Sequence, residues 1–202
     1  MQDWNEIKSW RMETRQGLLA ARQTLSAQAR KAIAQVMTRL LTETLVLRAD
    51  DCVGFYWPIR GEIDLRGAVT ALCKQQARAA LPEVTGRDDP LSFRPWTLDC
   101  ALRLGTWDIP IPDTPEIVQP TVLLIPCVAV DEHGYRLGYG GGFYDRTLQR
   151  ARPRPLSIGI SLASAILPTI HPQPHDIALD AVLTEHGWHR PPPAGEQRFR
   201  PA

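Results

Sequence analysis

The fold class of this 202-residue chain is decided by the stretch Val122-Leu123-Leu124-Ile125-Pro126-Cys127-Val128-Ala129-Val130. Such a near-continuous apolar run predicts a strand buried on both faces, as in a parallel sheet covered by helices. Shortly afterwards comes Gly138-Tyr139-Gly140-Gly141-Gly142-Phe143-Tyr144-Asp145, and a helix is predicted to begin near Phe143. Glycines at a strand-to-helix crossing let backbone N–H groups approach an anion, which the helix N-terminus also favours. The sequence therefore predicts an α/β fold with a candidate phosphate site at this crossing.

The residues that flank the glycines add charge to this candidate site. Arg136 precedes them and contributes a positive charge, whereas Asp145 follows them, where a carboxylate could hold a metal ion. The segment is not a Walker A motif, because no Gly-Lys-Ser/Thr ends it, and the third glycine of a dinucleotide fingerprint would fall at Phe143. A purely structural crossing remains the alternative interpretation.

Short apolar runs alternate with helical or turn segments from Cys52 onward. The sequence predicts strands at 53–57, 78–81 (ended by Pro82), 91–93, near 102, at 122–130, 156–162 and 181–184, a helix at 63–76 and a surface connection at 108–120. This alternation predicts a single α/β domain, residues 1–189, with a mostly parallel, Rossmann-like open sheet flanked by helices. Residues 190–202 are proline-rich and are predicted to form a disordered tail.

An N-terminal helical pair is predicted to precede the sheet. Ser26 is a suitable N-cap for the second helix. On the first helix, Arg11, Arg15 and Arg22 fall within roughly 40° of one another at about 100° per residue. Two interpretations are open: a solvated basic stripe, or an anion site, since guanidinium groups suit phosphate oxygens.

Composition excludes several classes of partner. The 23 Lys and Arg residues nearly balance 22 acidic residues, so no overall field attracts nucleic acid or a membrane surface. No apolar run approaches the roughly 20 residues that span a bilayer, and the N-terminus lacks a signal-peptide pattern. Four cysteines without a CxxC pair suit reduced thiols, which predicts a cytoplasmic protein. A monomer is expected, with a dimer left open.

Two further segments carry candidate site residues. Trp57 and Glu62 lie in a loop after a predicted strand, where an aromatic ring and an acid could bind a planar ligand; simple packing and helix capping are the alternative. Asp176 could be a second Mg²⁺ carboxylate or an ordinary loop residue. Pro172 and Pro174 rule out a helical metal pair of the neighbouring histidines.

Together these segments resemble the 5-formyltetrahydrofolate cyclo-ligase family, also called methenyltetrahydrofolate synthetases. Residues 130–146 are similar to the family signature D-x-x-G-x-R-L-G-x-G-x-G-Y-Y-D. The basic first helix supports the resemblance, as do Tyr56-x-Pro58-x-x-x-Glu62, Leu81-Pro82, Ile109-Pro110-Ile111-Pro112 and His175-Asp176-x-x-Leu179-Asp180. The similarity extends from about residue 11 to residue 185.

The resemblance implies an ATP- and Mg²⁺-dependent cyclisation of 5-formyltetrahydrofolate to 5,10-methenyltetrahydrofolate, with release of ADP and phosphate. By resemblance, ATP binds to Arg11, Arg15, Arg136, Leu137, Gly138, Tyr139, Gly140, Gly141, Gly142, Phe143 and Tyr144. The implied contacts to the folate are Trp57, Glu62, Tyr139, Gly140, Gly141, Gly142 and Phe143. Asp145 and Asp176 would bind Mg²⁺, and Arg136, Tyr144 and Asp145 would take part in catalysis.

The chain departs from the family pattern at three positions. Arg11 stands where the family usually has Lys, and Phe143 replaces the first Tyr of the usual pair. Ala165 stands where the family commonly has a Gln. The Ala165 departure keeps open a non-catalytic nucleotide- or folate-binding regulatory paralogue. By fold analogy alone, a sugar-phosphate isomerase or acyl transferase is a further alternative.

Overall fold

The structure, a computed structural model, describes residues 3–74, 77–193 and 195–199. Its helices are α1 (Trp4–Thr24), α2 (Ala27–Thr44), α3 (Arg66–Cys73) and α4 (Phe143–Arg150). Its strands are β1 (Cys52–Gly54), β2 (Arg78–Glu83), β3 (Ser92–Trp96), β4 (Leu102–Leu104), β5 (Pro110–Pro112), β6 (Val122–Pro126), β7 (Ala129–Asp131), β8 (Arg136–Leu137), β9 (Leu156–Ile160), β10 (Ile166–Leu167), β11 (Ala181–Thr184) and β12 (Gly187–Arg190). Short 3-10 turns occur at Thr106–Asp108 and Ala163–Ala165.

A seven-stranded sheet in the order β12-β11-β9-β6-β1-β2-β3 forms the centre of the molecule. Its five inner strands run parallel, and the edge strands β12 and β3 are antiparallel. A small sheet, β10-β7-β8, and the hairpin β4-β5 lie beside it. This architecture confirms the predicted α/β domain with a mostly parallel sheet and an N-terminal helical pair.

The central strand β6 is buried because helices cover both sheet faces. Val122 and Leu124 pack into one hydrophobic cluster together with Met37 of α2. Leu123 and Ile125 point the other way and pack with Leu148 of α4. Alternate side chains on a strand point to opposite faces, so both faces of β6 must be apolar.

The apolar run 122–130 forms two strands instead of the single strand predicted. Its backbone changes partner near Cys127: the N–H of Cys127 donates to Ile160 O of β9, and that of Val128 donates to Leu137 O of β8. β6 therefore stays in the main sheet, whereas β7 joins the small one. This switch brings β8, and with it the glycine segment, to the carboxyl end of β6.

Pro82 lies within β2, although the sequence predicts that it ends the strand. Arg78 and Ala80 direct their backbone groups towards β1 and its flanks, since Arg78 N donates to Asp51 O and Ala80 O accepts from Phe55 N. Pro82 faces the same side, beyond the end of β1. Its missing N–H therefore removes no ladder hydrogen bond, and β2 continues to pair with β3 on its other side.

The helix predicted at 63–76 begins later, at Arg66. Just before it, Asp64 Oδ1 accepts a hydrogen bond from Arg66 N at 3.0 Å. Residues 75 and 76 lie outside the described residues. The N-cap prediction for α2 is confirmed, because Ser26 Oγ accepts from Ala29 N at 3.1 Å.

The C-terminal segment differs from the predicted disordered tail. β12 extends to Arg190, and residues 195–199 return to the core. Arg198 Nε donates to Asp51 Oδ1 at 2.8 Å, and Phe199 forms a β-bridge with Leu45. Through this contact the carboxylate of Asp51, only 2% exposed, gains a charged partner. Residues 194 and 200–202 of the predicted tail lie outside the described part of the chain.

Candidate functional site

A cavity of about 80 Å³ lies at the carboxyl ends of β1, β6 and β9, underneath α1. Ligands in open α/β sheets bind at this edge, where loops leave the parallel strands. The lining residues come from α1, from the loop after β1 and from the segments after β6 and β9. They are Leu18, Ala21, Arg22, Leu25, Tyr56, Glu62, Ile63, Pro126, Cys127, Val128, Ile160, Ser161, Leu162, Ser164 and Ala165.

Glu62 supplies a carboxylate to this cavity, which Arg22 and several apolar side chains also line. The side chain is buried, with 7% exposure. Oε2 accepts from Ile59 N at 2.9 Å, and Oε1 accepts from the Tyr139 hydroxyl at 2.7 Å. Burial raises the pKa of Glu62 and outweighs the opposing effect of these hydrogen bonds. The carboxyl group of Glu62 can form hydrogen bonds with a polar ligand that enters this cavity.

The glycine segment leads from β8 into α4 and forms a loop that borders Glu62 through Tyr139. Gly140 has φ +92° and Gly142, the residue before α4, has φ +67°, a region in which side chains are strained. Arg15 of α1 donates from Nε to Gly138 O at 2.6 Å. Burial, with the nearby charge of Arg11 as a second cause, lowers the pKa of Arg15. Cationic groups therefore crowd one side of the loop.

Arg136 lies at the base of this loop and is almost fully buried. Its Nη1 donates to Ile177 O at 2.9 Å. Its Nη2 lies 2.7 Å from Asp145 Oδ1, and the two side chains form an ion pair. A guanidinium group fixed at this point can also bind a phosphate oxygen.

Asp145 and Asp176, the predicted metal ligands, lie close to each other. Asp145 Oδ1 accepts from the N–H of Ile177, the residue directly after Asp176. Asp176 forms a two-pronged ion pair with Arg11, at 2.9 and 3.2 Å, and also accepts from Gln173 N. Asp145 Oδ2 has no hydrogen-bond partner among the described residues, so it fits a hard cation; Asp176 would have to release Arg11 first.

The described residues contain no group of three or more His, Cys, Asp or Glu side chains that could hold a metal ion. This finding is compatible with Mg²⁺, which commonly uses one or two carboxylates together with substrate phosphates and water.

The three arginines of α1 are not a solvated stripe. Arg11 contacts Asp176, Arg15 contacts the glycine loop, and Arg22 donates to the Tyr139 hydroxyl at 2.5 Å. Their shared helix face therefore points into the site. The sequence placed Arg22 on this face but did not predict it as a site residue, because its partner is known only from the fold.

Trp57, Phe143 and Tyr144 lie around the site but outside the cavity lining. Trp57 stacks with the Arg66 guanidinium, 4.5 Å from its ring centre. Tyr144, in the first turn of α4, packs against the apolar cluster beneath that helix, and burial raises its pKa. Phe143 meets Trp107 edge-to-face with ring centres 5.9 Å apart.

Trp107 is a further candidate that sequence reasoning missed. It is 67% exposed, and both Trp107 and Asp108 have positive φ values. A large exposed aromatic ring held in a strained turn beside the glycine loop is a feature that favours ligand contact. Ala165, the departure from the family pattern, lies in the cavity wall and is 5% exposed.

Comparison with known proteins agrees with these features. The 5-formyltetrahydrofolate cyclo-ligase family model matches residues 7–185. The chain belongs to this family. It is 32% identical over 181 residues to the 5-formyltetrahydrofolate cyclo-ligase of Mycolicibacterium smegmatis. This alignment covers 85% of this chain and 92% of that relative. It is 31% identical over 157 residues to the cyclo-ligase of Escherichia coli, covering 74% of this chain and 86% of the relative.

The fold likeness points to the same family. The NMR structure of Aquifex aeolicus 5,10-methenyltetrahydrofolate synthetase superposes with a TM-score of 0.76 at 29% identity, covering 89% of this chain and 92% of that one. The predictions that the chain is a cyclo-ligase family member, and an enzyme, are confirmed.

Among the described residues, no helix is both long and apolar enough to cross a membrane.

Proposed function

We propose that this cyclo-ligase family member converts 5-formyltetrahydrofolate to 5,10-methenyltetrahydrofolate, using ATP with Mg²⁺ and releasing ADP and phosphate. The formyl oxygen is amide-like and a poor leaving group. Transfer of the γ-phosphoryl group of ATP to this oxygen makes it a good one. N10 then attacks the formyl carbon and loses its proton, and phosphate departs with the former formyl oxygen.

One observation carries this proposal: the buried side chain of Arg136, ion-paired with Asp145 at 2.7 Å, lies at the base of the glycine loop that Arg15 also contacts. Phosphoryl transfer requires mostly positioning and charge stabilisation. Arg136 together with Arg15 supplies fixed positive charge beside loop backbone that is free to approach a ligand. We assign the phosphates of ATP to these two arginines and to the loop from Leu137 to Tyr144.

Arg11 and Asp176 are paired with each other in this structure, and each would bind a ligand when ATP and Mg²⁺ are present. In this structure the two side chains neutralise each other. A triphosphate would compete with Asp176 for Arg11, and the freed carboxylate would join Asp145 as a Mg²⁺ ligand. Bound Mg²⁺ would neutralise charge on the phosphate oxygens.

The folate would place its pterin in the cavity that Glu62 borders. Tyr56 and Leu18 supply apolar walls, and Glu62 can accept hydrogen bonds from ring N–H groups. Trp57 and the glycine loop, from Tyr139 to Phe143, would contact the rest of the substrate. Trp107, exposed beside Phe143, would stack on the adenine ring.

A regulatory paralogue that binds ligand without turnover is the second candidate, and Ala165 in the cavity wall favours it. The substitution removes an amide that the family commonly has there. Calorimetry distinguishes the two functions, because binding of ATP and folate without phosphate release supports the paralogue.

The four cysteines are free thiols, and burial raises the pKa of Cys127 to about 12. Free thiols support a cytoplasmic location, where disulfides are rare.

The proposal is tested by following the near-ultraviolet absorbance of methenyltetrahydrofolate. Purified protein is mixed with intact 5-formyltetrahydrofolate, and ATP or Mg²⁺ is omitted in turn. We expect the absorbance to rise only in the complete mixture. Absence of turnover in the complete mixture would contradict the proposal.

A further inference from the structure

Arg22 is a buried cation at the boundary between the cavity and the glycine loop. Its side chain lines the cavity, and the residue is 7% exposed. Arg22 forms no ion pair with a carboxylate among the residues that the structure describes. A guanidinium that is desolvated without a directly paired anion is costly, so its retention here calls for a function.

The hydrogen bonds of Arg22 end on two different segments. Nε donates to Arg60 O at 3.2 Å, in the loop that carries Glu62. Nη2 donates to the Tyr139 hydroxyl at 2.5 Å, within the glycine loop. One side chain of α1 therefore holds the cavity loop and the glycine loop at the same time.

The chemistry of these groups fixes the direction of the hydrogen bonds. Guanidinium groups only donate, so Tyr139 must accept from Arg22 and has one O–H left to donate. It donates to Glu62 Oε1 at 2.7 Å. The chain Arg22–Tyr139–Glu62 therefore has a single polarity, and consecutive hydrogen bonds of this kind strengthen one another.

Tyr139 is also held by two cations. The guanidinium carbon atoms of Arg22 and Arg60 lie 5.8 and 5.6 Å from its ring centre. Its neighbour Gly140 has φ +92°, a conformation that glycine adopts without strain. Because Tyr139 belongs to the glycine loop and its hydroxyl contacts Glu62, a change in the loop can reach Glu62 through this hydroxyl.

We propose that Arg22 is a positioning residue that couples the folate cavity to the glycine loop through the Tyr139 hydroxyl, so that the two substrates bind cooperatively. This inference rests on the proposed function. A nucleotide that orders the glycine loop fixes Tyr139, which in turn holds the Glu62 carboxylate ready for the pterin. By linkage, the folate must favour the nucleotide by the same factor.

The test is calorimetric binding of 5-formyltetrahydrofolate, with and without a saturating non-hydrolysable ATP analogue and Mg²⁺. For the unmodified protein we expect the analogue to lower the Kd by about 5-fold or more. Tyr139→Phe and Arg22→Met should each reduce this factor to below about 2-fold. Tyr135→Phe is the matched control, because it removes a hydroxyl outside the chain of hydrogen bonds, and it should keep the full factor.

A double variant adds a second criterion. If Arg22 acts through Tyr139, then Arg22→Met should change the coupling factor little when Tyr139→Phe is already present. A merely structural role would instead lower the melting temperature and leave the coupling factor intact. Tyr139→Phe deletes one oxygen, so it decides the matter even where Arg22→Met fails to fold.

Two results would overturn the inference. In the first, the ATP analogue leaves the Kd of the unmodified protein for the folate unchanged. In the second, the Tyr139→Phe and Arg22→Met variants keep the full coupling factor of the unmodified protein. A protein that binds neither ligand would instead contradict the proposed function itself.

Discussion

At the scale of single residues, the site contains two pairs of opposite charges that ligands can take over. Arg136 Nη2 lies 2.7 Å from Asp145 Oδ1, and Arg11 forms an ion pair with Asp176. In each pair the guanidinium can bind a phosphate oxygen and the carboxylate can bind a divalent cation. A phosphate and a cation can therefore bind here together.

Asp145→Asn tests the carboxylate directly. The amide keeps the shape and can still accept from Ile177 N, but it loses the charge that a divalent cation needs. We expect turnover to fall by roughly 100-fold or more. Because the amide also loses the charge that pairs with buried Arg136, the melting temperature should fall as well, so turnover is compared at a temperature where both proteins are folded. Asp99→Asn, at an exposed turn, is the control and should keep full turnover. Unchanged activity in Asp145→Asn would remove this residue from the mechanism.

Trp107→Ala tests the exposed ring beside Phe143. Stacking of a base on an aromatic side chain contributes about 1–3 kcal/mol, so we expect the KM for ATP to rise by roughly 5- to 150-fold. The KM for the folate should change little. Leu104→Ala, which removes an equally exposed side chain from the same hairpin, serves as the control. A rise in the folate KM alone would show that Trp107 does not contact the nucleotide.

At the scale of elements, the parallel strands pack so closely that they leave no space for a side chain at Gly54. A Cβ there would lie 2.5 Å from Leu123 Cδ2 and 2.8 Å from Pro120 Cγ. Gly54→Ala should therefore lower the free energy of unfolding by about 1–3 kcal/mol. Urea denaturation measures this change.

Gly17 provides the opposite case on α1. A Cβ at Gly17 would meet no atom within 4 Å, and the residue is in the helix interior. Gly17→Ala should stabilise the protein by roughly 0.5–1 kcal/mol, since alanine loses less backbone entropy in a helix. Equal effects of the two substitutions would contradict the packing described for β1.

Local patterns predicted the elements well where the signal was local. The Ser26 cap of α2 and the buried run of β6 both follow from neighbouring residues. The break after Pro126 did not, because it depends on which distant carbonyl, Ile160 or Leu137, accepts each N–H. Pro82 was misjudged for the same reason: whether a proline ends a strand depends on where the neighbouring strand stops.

The site was predictable in its charges and less so in its geometry. The glycine segment with Arg136 and Asp145 was evident from sequence, as was the common face of Arg11, Arg15 and Arg22. The link from Arg22 through Tyr139 to Glu62 joins three distant segments and could not be found from spacing. Trp107 lacked any local signal, because its exposure and its position beside Phe143 are known only from the fold.

At the scale of the whole molecule, the C-terminal segment contacts the residue that precedes β1, the first strand of the sheet. Asp51 precedes β1 and accepts from Arg48 N, Thr121 Oγ1 and Arg198 Nε. Burial alone would raise the pKa of Asp51, but these hydrogen bonds outweigh it and the pKa is lowered below its ordinary 3.8. The carboxylate thus stays ionised to lower pH in the folded state than in the unfolded chain.

This shift predicts how stability depends on pH. A lowered folded-state pKa contributes stability above the unfolded value of 3.8, and that contribution is lost as pH falls through the folded pKa. Arg198→Gln should reduce the free energy of unfolding at pH 7 by about 1 kcal/mol. The difference from the unmodified protein should shrink as the pH falls below 4. Urea midpoints between pH 7 and pH 3 measure both effects.

The control is Arg39→Gln, an exposed α2 arginine whose side chain makes no ion pair or hydrogen bond with the described residues. It should leave the midpoints unchanged. A constant deficit for Arg198→Gln at every pH would show that Arg198 acts through packing and not through the charge of Asp51.

The central claim is that the protein activates the formyl oxygen by phosphorylation, and the fate of this oxygen tests it most directly. 5-Formyltetrahydrofolate labelled with oxygen-18 in the formyl group is turned over with unlabelled ATP, and the released phosphate is analysed by mass spectrometry. We predict one labelled oxygen in each phosphate released. Unlabelled phosphate formed together with methenyltetrahydrofolate would contradict the account.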